Sequence, residues 1–266
     1  MSVKTYSIAS GSRGNCLLIS SDAGAILIDA GISARRLNSA LEQCGFEVEQ
    51  LQAVVLTHEH SDHSKAVKIL ATKHRIPIYA NELTRQALGE ETVPGENWHC
   101  FETGKTFSVG GFEICSFQVP HDAYDPVGFV LTTESKRIGV VTDLGYATSL
   151  VKQKLKNCHG LVVEANYDEK LLREDLKRPW ATKQRIAARH GHLSNKKTAE
   201  LIAEVDWPGL EWICLSHLSE DCNRPELAIE EVQNALQTES KSQVSIQTGD
   251  QSDQPTVLSF RLKEGD

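Results

Sequence analysis

Short apolar runs along the chain alternate with clusters of turn-forming residues, and the period within each run separates strands from helices. Residues 5–9, 16–20 and 25–29 read as strands, split by Ser10-Gly11-Ser12-Arg13-Gly14-Asn15 and Asp22-Ala23-Gly24. That order predicts an antiparallel meander. A helical pattern over 34–44 stops at Gly45, a cap position. A strand at 53–56 and a helix-patterned stretch at 64–73 follow. Strand patterns return at 105–109, 112–119, 127–133 and 136–141, with Gly110-Gly111 as a hairpin turn. The second half mixes strands at 161–164, 212–215, 244–247 and 257–262 with helices at 196–204 and 225–236. Pro225 suits the first turn of the last helix. Two halves, each with strands before helices, predict an α/β fold of two sheets packed face to face with helices outside. Nothing linker-like divides the halves, so residues 1–266 are read as one domain.

Composition narrows the class. At 266 residues and 40% apolar content the chain can bury a large core. No run approaches the roughly 18 apolar residues of a membrane span, and the start lacks a signal-peptide core. The expectation is a soluble cytoplasmic protein with no membrane partner. The seven cysteines are odd in number and include no Cys-x-x-Cys pair, which excludes a zinc ribbon and a disulfide framework. The net charge of −8 should repel nucleic acid, but residues 176–197 hold seven Lys and Arg and no Asp or Glu, leaving −15 for the remainder. Such a segment is either a polyanion footprint or a solvated face whose carboxylate partners lie elsewhere in sequence.

The densest chemistry is Thr57-His58-Glu59-His60-Ser61-Asp62-His63, at the junction between the strand at 53–56 and the helix pattern that follows. Imidazole and carboxylate are ligands for borderline divalent metals. His58 and His60 lie two apart on an extended segment and can face one side. Asp62 and His63 diverge at the helix start, so one peptide can seed two metal positions. Two metals roughly 3.5–4 Å apart supply an activated water and stabilise charge in a displacement. Without metal, four such groups would leave many buried polar atoms to satisfy.

His-x-His-x-Asp-His resembles the signature of the metallo-β-lactamase fold, a four-layered αββα sandwich of two mixed sheets. The resemblance implies a two-metal set completed after later strands, and His121, Asp143 and His217 stand there in order. On that reading His58, His60 and His121 bind one metal, Asp62, His63 and His217 the other, and Asp143 bridges. Asp29 matches the family's supporting aspartate. The metals implied are two divalent ions, zinc or manganese, with iron also compatible. His74, His99, His159 and His190 have no family counterpart and are expected to be surface or core residues.

Within the family, Thr142-Asp143-Leu144-Gly145 resembles the phosphodiesterase and nuclease branches. Glu164 and His192 resemble the pair by which tRNA-processing RNase Z proteins assist the leaving oxygen. The motifs together are similar to the YycJ/WalJ (VicX) family, described as 5′-to-3′ DNA exonucleases. No β-CASP insertion fits between Asp143 and His217. The expectation is therefore a dinuclear-metal phosphodiesterase acting on nucleic acid, with His192, Glu164 and Asp143 catalytic. Ser12, Arg13, Asn15, Lys183, Arg185, Arg189 and Asn195 are candidate substrate contacts, and Trp180 could stack on a base. The alternatives are a phosphodiesterase for cyclic nucleotides or other small esters, and a metal-stabilised regulatory protein without turnover.

Overall fold

The computed structural model describes residues 3–89, 91–236, 243–249 and 254–260. Strands β1 (Lys4–Ala9), β2 (Cys16–Ser21), β3 (Gly24–Ile28), β4 (Leu51–Val55), β5 (Ile78–Ala80) and β6 (Trp98–Cys100) build one sheet. Strands β7 (Thr106–Val109), β8 (Phe112–Gln118), β9 (Val127–Thr132), β10 (Arg137–Val141), β11 (Gly160–Glu164), β12 (Trp212–Ser216) and β13 (Ser245–Thr248) build the other. The last strand, β14 (Thr256–Ser259), returns to the edge of the first sheet beside β1. Both sheets are mixed. β14, β1, β2 and β3 pair antiparallel, as the meander predicts, while β3 to β6 run parallel. In the second sheet β7 to β10 are antiparallel and β10 to β13 parallel.

The alternation of side chains along each strand separates three cores. Ile26 and Ile28 of β3 and Ala53 and Val55 of β4 point inward, against Phe112, Phe129, Val140 and Trp212 of the facing sheet. Leu27 and Val54 point outward, under α1 (Ala34–Gln43). Val141, Val163 and Leu215 point outward on the other side. There they meet α5 (Ser149–Leu155), α8 (Asn195–Val205) and α9 (Pro225–Ala235). Because successive side chains in a strand face opposite ways, a strand buried on both faces is apolar throughout. No helix among the described residues is long and apolar enough to cross a membrane.

The helix expected over 64–73 divides into α2 (Ser61–Ser64) and α3 (Val67–Lys73). The His63 carbonyl accepts from Ala30 N at 2.7 Å, and Ala66 N donates to the Ala30 carbonyl at 2.8 Å. These bonds divert the backbone from the helical ladder and seal the metal-type turn onto the loop after β3. The remaining helices are α4 (Glu82–Leu88), α6 (Glu169–Glu174) and α7 (Trp180–Ala187). α7 buries none of its residues, so no apolar period marks it in the sequence. Of the strand expected at 257–262, residues 261–262 lie outside the described residues.

Register sets the site. Ile28 pairs with Val55 in one sheet, and Val141 with Val163 and Val163 with Leu215 in the other. Parallel neighbours therefore end level, and the residues that follow them collect at one edge of the sandwich. β8 runs in the same direction as β10, through β9, so its end joins them.

Candidate metal centre and catalytic cleft

Asp29 follows β3, Thr57 and His58 follow β4, and His121 follows β8. Asp143 follows β10, Glu164 ends β11, and His217 follows β12. Three of them, Asp29, Asp143 and His217, have left-handed backbones with φ of 61°, 54° and 57°. Non-glycine residues in that region store strain, which clusters at functional sites. Here each turns the chain sharply out of a buried strand while its side chain stays over the sheet edge.

The ligand atoms of His58, His60 and His121 lie within 4.8 Å of one another, and those of Asp62, His63 and His217 do likewise. Asp143 reaches both groups. Its Oδ1 is 3.8 Å from His121 Nε2 and 3.5 Å from His217 Nε2, and its Oδ2 is 3.2 Å from His63 Nε2. The structure thus brings these seven side chains together at one edge of the sandwich.

Four imidazoles are held by Nδ1, which turns Nε2 toward the ligand cluster. Thr57 Oγ1 donates to Asp29 Oδ2 at 2.8 Å and so accepts from His58 Nδ1 at 3.0 Å. His63 Nδ1 donates to Asp29 Oδ2 at 2.7 Å, His121 Nδ1 to the Gly191 carbonyl at 3.2 Å, and His217 Nδ1 to Glu164 Oε1 at 2.9 Å. His58 Nε2, His217 Nε2 and Asp143 Oδ2 are buried without a hydrogen-bond partner. Buried polar atoms are rarely left so, and a divalent cation satisfies this set.

Charge follows the same logic. Burial and the neighbouring His63 hold His58 well below the usual imidazole range. Burial alone would lower His217, but the carboxylates of Asp143, Asp62 and Glu164 carry it up to about 10. Burial opposes ionisation of Asp143, yet His217 and His63 hold it well below the carboxylate range. The carboxylates thus favour positive charge at His217, while burial keeps His58 neutral, as a metal ligand must be.

His192 Nδ1 donates to Glu164 Oε1 at 2.7 Å, and the same oxygen holds His217. Glu164 Oε2 accepts from the backbone of Leu144 and Leu193, both at 3.1 Å. Burial would lower His192, but the Glu164 carboxylate outweighs it and raises the imidazole. His192 lines a cleft of about 240 Å³ together with His60, Asp62, His121, Asp143 and His217. Ser12, Asp122, Thr182, Arg185, Ile186, His190 and Gly191 complete its lining.

The candidate substrate contacts fare unevenly. Ser12 and Arg185 line the cleft. Asn15 and Asn195 do not face it: both are buried and fully engaged. Asn15 bonds to the Gly11 backbone and packs its amide against His63 Nε2 at 3.0 Å, and Asn195 exchanges two 2.8 Å bonds with Asn223. Arg13 pairs with Glu220. Lys183 bonds the Arg173 carbonyl, and Arg189 stacks over Tyr146 at 4.5 Å. In the basic segment, Lys177 and Arg178 are neutralised by Asp221 and Asp175, and Arg185 by Asp122. Trp180 is 67% exposed, not a core residue. It sits on the side of α7 away from Thr182, Arg185 and Ile186, the residues that face the cleft.

Of the four histidines set aside, His74 pairs with Glu49, His99 stacks on Tyr79 and His159 accepts from Arg137 N. His190 is an exposed residue that lines the cleft. Sequence reasoning also missed Gly31. A Cβ there would lie 1.6 Å from the Asp62 carbonyl, so the ligand turn rests directly on a glycine. Ser10 and Asn166, present only as parts of motifs, hold His217: its N–H donates to Ser10 Oγ at 2.6 Å, and Asn166 Nδ2 donates to its carbonyl at 2.8 Å.

Residues 25–217 match the family of β-lactamase superfamily domains. Exodeoxyribonuclease YycJ of Bacillus anthracis is 34% identical over 232 residues, 86% of this chain and 88% of that one. Exodeoxyribonuclease WalJ of Streptococcus pneumoniae serotype 2 is 38% identical over 228 residues, 84% of each. The solved structure of the metallo-β-lactamase fold protein YhfI from Bacillus subtilis superposes with a TM-score of 0.74, covering 98% of this chain and 100% of that one. At 17% identity that likeness concerns the fold alone. Family match, relatives and sandwich agree: this chain belongs to the β-lactamase superfamily of metal-dependent hydrolases, in the group of the YycJ and WalJ proteins.

Proposed function

We propose that the protein is a cytoplasmic, dinuclear-metal phosphodiesterase that degrades DNA from the 5′ end. The observation that carries this reading is His192, held by Glu164 at 2.7 Å and facing a cleft lined by metal-type ligands. Phosphodiester cleavage expels an alkoxide, a poor leaving group that needs a proton donor. Acyl transfer from a β-lactam ring has less need of a buried carboxylate–imidazole pair. The exodeoxyribonuclease names of both relatives support DNA as substrate. The 5′-to-3′ polarity rests on the family resemblance.

Two divalent ions of zinc, manganese or iron type, held by His58, His60 and His121 and by Asp62, His63 and His217 with Asp143 shared, would supply an activated water and stabilise phosphoryl charge. The chain's own residues do the rest. Glu164 fixes the His192 ring and favours its protonated form. Protonated His192 then gives its Nε2 proton to the departing oxygen. Arg185, on the cleft wall, is placed to meet a phosphate.

One observation favours a small phosphodiester instead. Of the seven cations in 176–197, only Arg185 lines the cleft among the described residues. A time course on 5′- and 3′-end-labelled DNA and RNA, with each metal supplied, separates the readings. DNA shortened from its 5′ end supports the proposal. Turnover of cyclic or small esters with intact DNA transfers it to the alternative. A metal-stabilised regulatory protein would use Glu164 to hold His217, but has no use for His192 facing the cleft.

A further inference from the structure

Arg185 and Asp122 meet at the cleft mouth. Arg185 donates from Nε and Nη2 to Asp122 Oδ2, at 3.1 and 2.7 Å. Both side chains line the cleft, and both are well exposed, at 73% and 58%. Asp122 directly follows His121, while Arg185 sits on α7, a helix with no buried residue. The pair therefore ties a helix with little packing of its own to the wall beside the metal centre.

Resting on the phosphodiesterase reading, we propose that Asp122 is a specificity-determining residue that occupies the anion position of Arg185 until a substrate phosphate replaces it. A carboxylate and a phosphodiester offer a guanidinium the same kind of oxygen acceptor. An exposed ion pair is worth little, so exchange is easy once the cleft holds a phosphate. A small neutral molecule offers no such replacement and leaves the mouth latched. Asp122 thus lowers affinity for every ligand that must open the mouth, and a ligand that brings an oxyanion recovers the loss at the freed Arg185.

The surroundings fit a latch. Glu59, between the ligands His58 and His60, accepts from Tyr124 N at 3.1 Å and anchors the loop that carries Asp122. On the other side, His192 N donates to the Ile186 carbonyl at 2.8 Å, and Gly191 N to the Ala188 carbonyl at 3.0 Å. The end of α7 is thereby fixed to the catalytic histidine. Release of Arg185 from Asp122 frees the guanidinium without moving His192.

The test is a double-mutant cycle on metal-loaded protein with Asp122→Asn, Arg185→Gln and both together. KM and kcat are measured on a 5′-labelled oligonucleotide, and inorganic phosphate binding by calorimetry, with metal content checked in each variant. Asp122→Asn is expected to lower KM and the phosphate Kd about two- to five-fold, with kcat changed less than KM. In the Arg185→Gln background the same substitution is expected to change neither. An equal gain in both backgrounds means that Asp122 merely repels anions, and overturns the latch, as does no gain in either. If the wild-type protein leaves the oligonucleotide intact, the nuclease reading fails, and the phosphate titration still decides the latch.

Discussion

Replacing Glu164 by Gln removes one charge at the point where two imidazoles meet. Glu164 is fully buried, and its four hydrogen bonds have fixed directions. Oε2 accepts from Leu144 N and Leu193 N, so the amide oxygen of Gln must take that side. The amide NH₂ then faces His192 Nδ1 and His217 Nδ1, which were donors. Both imidazoles must become acceptors there and carry their proton on Nε2. For His217 that blocks the lone pair a metal needs. For His192 it leaves a neutral ring in place of a stabilised imidazolium. Flipping the amide leaves two buried backbone N–H groups without acceptors, at about 1–3 kcal/mol each. Loss of a positioned general acid lowers rate by roughly 10²–10⁴-fold, and loss of a group orienting a metal ligand lowers affinity by about 10–100-fold. Glu164→Gln should therefore lose both kcat and metal affinity, whereas His192→Ala should lose rate and keep its metal. The assay is steady-state phosphodiester hydrolysis alongside metal content after dialysis. A Glu164→Gln protein with kcat within a few-fold of wild type and full metal content would refute the shared-carboxylate argument.

Further outcomes follow from the same geometry. Asp143→Ala, which removes the carboxylate reaching both ligand groups, and His60→Ala should each abolish hydrolysis, checked with metal in excess; residual turnover near wild type in either contradicts the assignment. Gly31→Ala should push the Asp62–His63 turn off its seat, lowering stability by about 1–3 kcal/mol and weakening metal binding, read by denaturant unfolding and metal titration. The metal-free protein should lose stability as pH rises. His217 is raised from 6.5 to about 10 in the fold, so its proton stabilises fully below pH 6.5 and that contribution fades as pH climbs through 10. Metal displaces this proton, so the metal-loaded curve should lack the loss. Parallel stability curves for stripped and loaded protein would contradict it.

The fold was legible because strands buried on both faces read as apolar runs, and Ala25 to Ile28 or Leu161 to Val163 leave little choice. The ligands were legible because chemistry confines them to His and Asp just after such runs. What escaped was decided across sequence. Nothing local says that the His63 carbonyl turns to Ala30 rather than continuing a helix. Asn15 and Asn195 have the residue type of substrate contacts, yet serve as buried braces, a difference that only packing settles. The basic segment illustrates both sides. Its charge was plain, but Asp122, Asp175 and Asp221, which neutralise three of its seven cations, stand outside it in sequence.

The most direct measurement compares leaving groups. Wild type and His192→Ala are assayed on DNA, which expels an alkoxide, and on a p-nitrophenyl phosphodiester, whose phenolate leaves without help. If His192 protonates the leaving oxygen, the variant should lose roughly 10²–10⁴-fold on DNA and little on the activated ester. Equal losses on both substrates, or full activity on DNA, would contradict the account.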